Sequence, residues 1–357
     1  MKKMNINWSL QSANGFAQAA AVWDELNSRC ANLPFLDSRF IGPLLEVFGT
    51  GKELLAIGME NGSPVAAAIV TRAGPGRWIF FQPSQMPLGP MLLLPQRSIA
   101  AAAADLLKAL PGLSLALGLT QIDPAINARP ATSEKFSTLD YIQTAWVDIA
   151  GEFEDYWAAR GKNLRQNMKK QRNKLAAEGI EISFDVIRDA ASVSEAIQQY
   201  GILETASWKS GQGTAVSLDN DQGRFYKAML ERFCEAGRGV IYRYRFGEQV
   251  AAMDLCIESD GVLVILKTAY DGSNKSLSPA FLMREEQFQR LFVEKKISRV
   301  EFFGKLMEWH TRWTDNSRTL YHANAFRYAW LPKLLALRAR LENKPSAETE
   351  SLAPETN

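Results

Sequence analysis

"VILKTAYDGSNKSLSP", residues 264–279, sets a lysine inside an apolar, strand-like run and then breaks into glycine, serine and asparagine before a Ser-Pro pair. The run reaches back to Val262, behind the turn pair Asp260-Gly261, and predicts a strand over 262–270 that returns from another over 250–258. A two-residue turn makes Ser259 face Val262, and counting back sets Asp254 opposite Lys267. Side chains alternate along a strand, so Leu263 and Ile265 share the face of Lys267, and Ala252 and Cys256 share that of Asp254. Two readings of the pair stay open. One is a structural ion pair that cancels its own burial cost; the other is a reactive pair beside a cleft, with Asp254 as base and Lys267 holding it or a substrate carbonyl.

Downstream, Ser278 followed by Pro279 predicts a helix start, since serine caps free amides and proline suits the first helical position. A helix amino terminus binds phosphate through those amides, and Lys275 and Ser276 lie on the flexible approach to it. An ordinary capped helix after a loop is the plainer alternative.

Working outward, helices over 191–207 and 219–236 precede three strand-like runs at 239–246, 250–258 and 262–270. The helix from Ser278 and a strand over 299–303 follow. The first half repeats that order: helices at 15–30 and 36–48, strands at 53–60, 64–71 and 77–82, a loop, a helix from about Arg97, and a strand over 113–119. A meander followed by a crossover helix demands a parallel neighbour, which predicts an α+β protein with a mixed, mostly antiparallel sheet flanked by helices, present twice. The expected division is 1–150, then 151–342 beginning with a helical junction over 152–179, then a disordered tail over 343–357.

Composition narrows the partners. The 357 residues carry 41 basic and 39 acidic side chains, a balance that gives no reason to expect DNA. Three scattered cysteines suit reduced thiols, and with no apolar leader at the amino terminus the expectation is a cytoplasmic protein. The stretch 99–119 is broken by Asp105, Lys108 and Pro111-Gly112, so no transmembrane segment is predicted. Two histidines without ligand spacing predict no metal.

The order of elements resembles the GNAT acyltransferase fold. Tyr270-Asp271, Ser278-Pro279-Ala280, and Phe303-Gly304 followed by His310 and Trp313 resemble the GNAT-like family linked to exopolysaccharide and cellulose biosynthesis, often called CelD-like. The stretch "NLRQNMKKQRNKLAAEGI", residues 163–180, is similar to the opening of the second domain in that family and in Fem-type relatives of peptidoglycan cross-bridge synthesis. The resemblance implies tandem GNAT-like domains and transfer of an acyl group, commonly from acyl-coenzyme A (acetyl-CoA), to a small or sugar-derived amine or hydroxyl. Together with the helix-start reading of Lys275 and Ser276, it assigns Tyr270, Lys275, Ser276, Ser278 and Ala280 to the donor. This chain reads DGSNKSLSPA where GNAT proteins usually carry spaced glycines, and His310 where CelD-like relatives carry a lysine.

Other candidates have two faces each. His310, in MEWHTRWT, is a natural base near neutral pH or a packed, hydrogen-bonded ring. Glu301 shares the site if its strand runs parallel to that of Lys267, or is an edge charge. Trp208, Lys209 and Trp313 clamp a sugar or close a hydrophobic corner. From Arg160 to Lys174 seven basic residues occur with no acid, while Leu164, Met168 and Leu175 form an apolar stripe. That is a solvated surface helix, or a phosphate site for coenzyme A, a lipid-linked diphosphate sugar or transfer RNA. The leading expectation is an acyltransferase. Its rivals are a Fem-type transferase using aminoacyl-tRNA and a non-catalytic scaffold of a polysaccharide assembly.

Overall fold

The computed structural model describes residues 5–206 and 215–334. In chain order the first half contains β1 (Asn7–Ser12), α1 (Phe16–Arg29), α2 (Ser38–Phe48), β2 (Leu54–Glu60), β3 (Ser63–Gly74), β4 (Arg77–Phe80), β5 (Met91–Leu93), α3 (Ile99–Ala109), β6 (Ala116–Ile122) and β7 (Phe136–Asp148). The junction carries α4 (Phe153–Ala158) and α5 (Lys162–Ala177). Then come β8 (Ile182–Ile187), α6 (Val193–Ala206), α7 (Asp221–Glu235), β9 (Gly239–Phe246), β10 (Gln249–Ser259), β11 (Val262–Tyr270), α8 (Pro279–Glu294), β12 (Arg299–Glu301), α9 (Glu308–Thr311) and β13 (Ser317–Phe326).

Local chemistry explains many of the boundaries. α1 buries Phe16, Ala19, Trp23 and Leu26 at helical spacing. Asp37 accepts the amide of Arg39 at the start of α2, and Ser98 accepts that of Ala101 at the start of α3. Asn61-Gly62 and Asp260-Gly261 both take positive φ, the geometry of the two-residue turns that join β2 to β3 and β10 to β11.

All the strands form one sheet, in the order β1-β2-β3-β4-β6-β13-β7-β12-β11-β10-β9-β8, with β5 added on β3. It is antiparallel except where the crossover helices require parallel neighbours, β4 with β6 and β11 with β12. β7 joins the halves: its first part pairs with β13, its last residues with β12. β13, near the end of the chain, lies between β6 and β7 of the first half.

One core runs through the first half and onto the α6–α7 face of the second; the other fills the space under α5 and α8. Phe40 of α2 meets Phe225 of α7 edge to face at 5.1 Å, which ties the halves together. No described helix is long and apolar enough to cross a membrane. The α+β expectation holds. The junction expected to be helical consists of two helices, α4 and α5, separated by residues 159–161. The strands over 7–12, 136–148 and 317–326 were not foreseen.

Candidate functional site

β11 decides the site, and its register differs from the expected one. From Ser259↔Val262 to Cys256↔Ile265 the count runs as predicted; Leu266 is then an extra residue, so Leu255 faces Lys267 and Asp254 faces Thr268. The bulge turns Lys267 to the face opposite Asp254. The expected pair does not form. Lys267 instead meets Glu204 at 3.0 Å, with the rings of Tyr200 and Tyr226 nearby on the α6–α7 side. Asp254, fully buried on the α8 side, binds Arg284 at 2.5 Å and accepts the hydroxyl of Thr268 at 2.6 Å.

β11 and β12 pair in parallel only from Val262↔Arg299 to Val264↔Glu301. Beyond that they part, and a cavity of about 380 Å³ opens beside the start of α8. Its strand wall is Thr268 and Tyr270, and its helix wall is Ser278, Pro279, Ala280, Phe281 and Arg284. Lys275 stands at the loop, with Trp309 and Trp313 across from it. Trp313 is held from behind: Tyr156 and Arg160 donate to its carbonyl at 2.8 and 3.0 Å, and its ring stacks on Phe281 and Trp157. Larger hollows of about 880 and 600 Å³ lie on the first half, the latter also touching Arg232, and one of about 630 Å³ lies beside α6, but they gather none of the predicted residues.

The loop owes its shape to Asp271. Its carboxylate accepts the amide and hydroxyl of Ser273, the amide group of Asn274 and that of Gln249, which winds 272–277 into a tight turn and leaves Lys275 and Ser276 exposed. Ser278 occupies the position before α8 with φ +54° and makes no side-chain cap, contrary to the expectation of a serine cap. The left-handed backbone turns its hydroxyl away from the first-turn amides.

His310 is buried, stacked on Trp309 and set edge-on to Phe302. Its Nδ1 accepts the amide of Met307 at 2.9 Å, so Nε2 carries the proton of the neutral ring. Burial lowers its pKa to about 4. The ring therefore acts as a cap for α9, and its free nitrogen is a donor; that arrangement speaks against the expected base. Glu301 lies at the last paired position of β12, on the face shared with Val264, and is ion-paired with Arg318 at 3.0 Å, which also binds Asp123. Burial raises its pKa to about 7 against the pull of Arg318.

Thus Tyr270, Lys275, Ser278, Ala280 and Trp313 come together around one cavity, with Ser276 on its approach. Asp254 lies beneath it, and Lys267 and Glu301 lie on the other face. Trp208 and Lys209 fall outside the described residues. Sequence reasoning missed Arg284 and Thr268. The signal was present in α8, where Arg284 shares the buried stripe of Gln287, Phe288 and Leu291. A cation on a core-facing stripe demands a buried acid.

The predicted stripe of α5 is buried as expected, at Leu164, Met168 and Leu175. Arg172 ties it to Glu285 and Glu286 of α8 at 2.9 and 2.6 Å. Lys162, Lys169 and Lys170 point to solvent. Among the described residues no cluster of histidine, cysteine and acid side chains could hold a metal ion.

Residues 162–311 match the family described as an acetyltransferase (GNAT) domain. No curated protein matches the chain. Among solved structures, a conserved protein of unknown function from Bacteroides thetaiotaomicron superposes with a TM-score of 0.56 at 10% identity, covering 90% of this chain and 99% of that one. The C-terminal domain of a putative lysylphosphatidylglycerol synthetase from Agrobacterium fabrum gives 0.53 at 12%, covering 85% and 95%. FemX gives 0.50 at 7%, covering 79% and 89%. These likenesses are to the fold, an α+β arrangement with a mixed sheet flanked by helices.

Proposed function

We propose that the cavity beside α8 holds an acyl thioester, acyl-coenzyme A in the first instance, and that the protein transfers its acyl group directly to an amine or hydroxyl. The observation that carries this reading is the fork between β11 and β12, from which an aromatic-walled cavity leads to an uncapped helix start with exposed Lys275 at its mouth. The apolar walls suit a flexible organic arm, and the mouth suits its phosphates.

In this scheme the donor lies on the α8 side and the acceptor approaches the fork from the α6–α7 side, where Lys267 and Glu301 face. The acceptor's lone pair adds to the thioester carbonyl carbon. The adduct collapses with cleavage of the carbon–sulfur bond, and the sulfur departs and takes a proton. Glu301 accepts the nucleophile's proton, since a carboxylate with a pKa of about 7 is matched to work near neutrality. The resemblance to the exopolysaccharide-linked family makes a sugar-derived amine or hydroxyl the first acceptor class to try. We take residues 1–150, with β13 inserted between β6 and β7, as a GNAT-like unit supporting the catalytic one within 151–342. Isothermal titration with acetyl-coenzyme A tests the donor: heat of binding saturating below millimolar ligand is expected, and none at that concentration ends the assignment.

One observation favours a second donor. The exposed Lys162, Lys169 and Lys170 of α5 give a face without acidic residues, which suits the phosphates of an aminoacyl-tRNA. Filter retention of transfer RNA that survives physiological salt would favour this donor over the thioester.

A further inference from the structure

Arg284 has five N–H groups, and four are used. Nη1 donates to Asp254 Oδ2 and to Gln287 Oε1, both at 2.5 Å; Nη2 donates to Asp254 Oδ1 and to Thr268 Oγ1, both at 3.2 Å. The guanidinium is further held between the rings of Phe288 and Phe302, at 5.9 and 5.8 Å. Nε–H has no partner among the described residues. Arg284 lines the cavity, so this N–H is not sealed in the core.

A fixed guanidinium with one N–H left over is a donor of set direction. Its charge is cancelled by Asp254, so the cavity beneath Lys275 offers a strong, charge-assisted hydrogen bond without a net field to attract an anion. The group that fits such a donor is a neutral carbonyl oxygen in an otherwise apolar arm. A carboxylate or phosphate would meet the nearby Asp254 charge and lose its own hydration.

We propose that Arg284 Nε–H is the polar recognition point for a neutral amide or thioester carbonyl of the donor, and that Asp254, Thr268 and Gln287 are positioning residues that aim it. The inference rests on the thioester reading above and narrows it: the cavity selects the carbonyl-bearing, uncharged part of the donor, while the phosphates stay outside at Lys275.

The test uses a thioester of N-acetylcysteamine, which carries both carbonyls and no phosphate. Binding is read from the fluorescence of Trp309 and Trp313 in the cavity wall. The full-length protein is expected to bind the probe, and Arg284→Met/Asp254→Leu, which replaces the buried pair by apolar groups, to bind it about tenfold more weakly. Equal binding by the two proteins overturns the role of Arg284 while leaving the donor reading standing. No binding by the unaltered protein overturns both. Asp254→Asn provides an arm that does not depend on the double variant folding. It uncovers the charge of Arg284, so acetate should displace the probe at about tenfold lower concentration than from the unaltered protein. Equal displacement overturns the proposal.

Discussion

Two forks in one sheet carry the same elements and end differently. In the first half β4 and β6 pair in parallel from Arg77↔Ala116 to Ile79↔Gly118 and then part beside the start of α3, as β11 and β12 do beside α8. There the chain over 81–98 folds back, adds β5 to β3 and sets Gly89 into the gap, its amide donating to the carbonyl of Gln121 at 3.2 Å. About 20 Å³ remains, against about 380 Å³ at the second fork. The connection over 271–278 is too short to fold back in the same way and is wound instead around Asp271. A parallel fork is thus a space that the connecting loop either fills or leaves open. The helix tips differ alike: α3 is capped by Ser98, whereas α8 begins on an uncapped, left-handed Ser278.

The largest expected effect comes from closing the open fork. Ala280→Phe places a ring where the first fork carries its plug, and donor binding by calorimetry should vanish while the melting temperature holds. Retained binding would mean that the cavity is not where the donor sits. Next is Glu301→Gln, which on the base assignment lowers kcat about 100-fold. The unaltered protein's rate should rise with pH up to about 7 and then level off, a limb missing in the variant. Stability reads the same group with the opposite sense. Its folded pKa lies above the ordinary 4.5, so the folded state binds the extra proton between 4.5 and about 7, and thermal stability should fall as pH rises through that window. Glu301→Gln should flatten that slope.

The plugged fork should answer in stability alone. A Cβ at Gly89 would lie 2.3 Å from the Phe80 ring and 2.5 Å from the Thr120 carbonyl, so Gly89→Ala should cost about 2 kcal/mol in denaturant unfolding and leave donor affinity unchanged. The helix tips give the smallest shifts. Ser98→Ala should destabilise by about 1 kcal/mol through the lost cap. Ser278→Gly should stabilise by about 1 kcal/mol through relief of its left-handed backbone. Equal signs for the two would erase the contrast between them.

Much of this was legible in the chain. The hydrophobic periods gave both meanders and the helices around them, and Asp260-Gly261 fixed the hairpin at its turn. Tyr270, Lys275, Ser278 and Ala280 line one cavity because loop, proline and helix start are neighbours in sequence. What failed was reach. Asp254 and Lys267 were paired by counting from the turn, and the extra residue at Leu266 undid the count. His310 was offered as a base by its residue type, yet which nitrogen is free depends on the amide of Met307. Arg284 was passed over because its partner lies thirty positions away in sequence.

By itself, then, the sequence determined the alternation of strands and helices, their turns and the repeated order, because periodicity and turn chemistry act over a few residues at a time. The tertiary structure alone decided that β13 enters the first half's sheet, that Lys267 turns from Asp254 to Glu204, and that one fork is filled while the other stays open. Each of those outcomes depends on contacts between distant segments, where one added residue exchanges the two faces of a strand and the length of one connection decides whether a space closes.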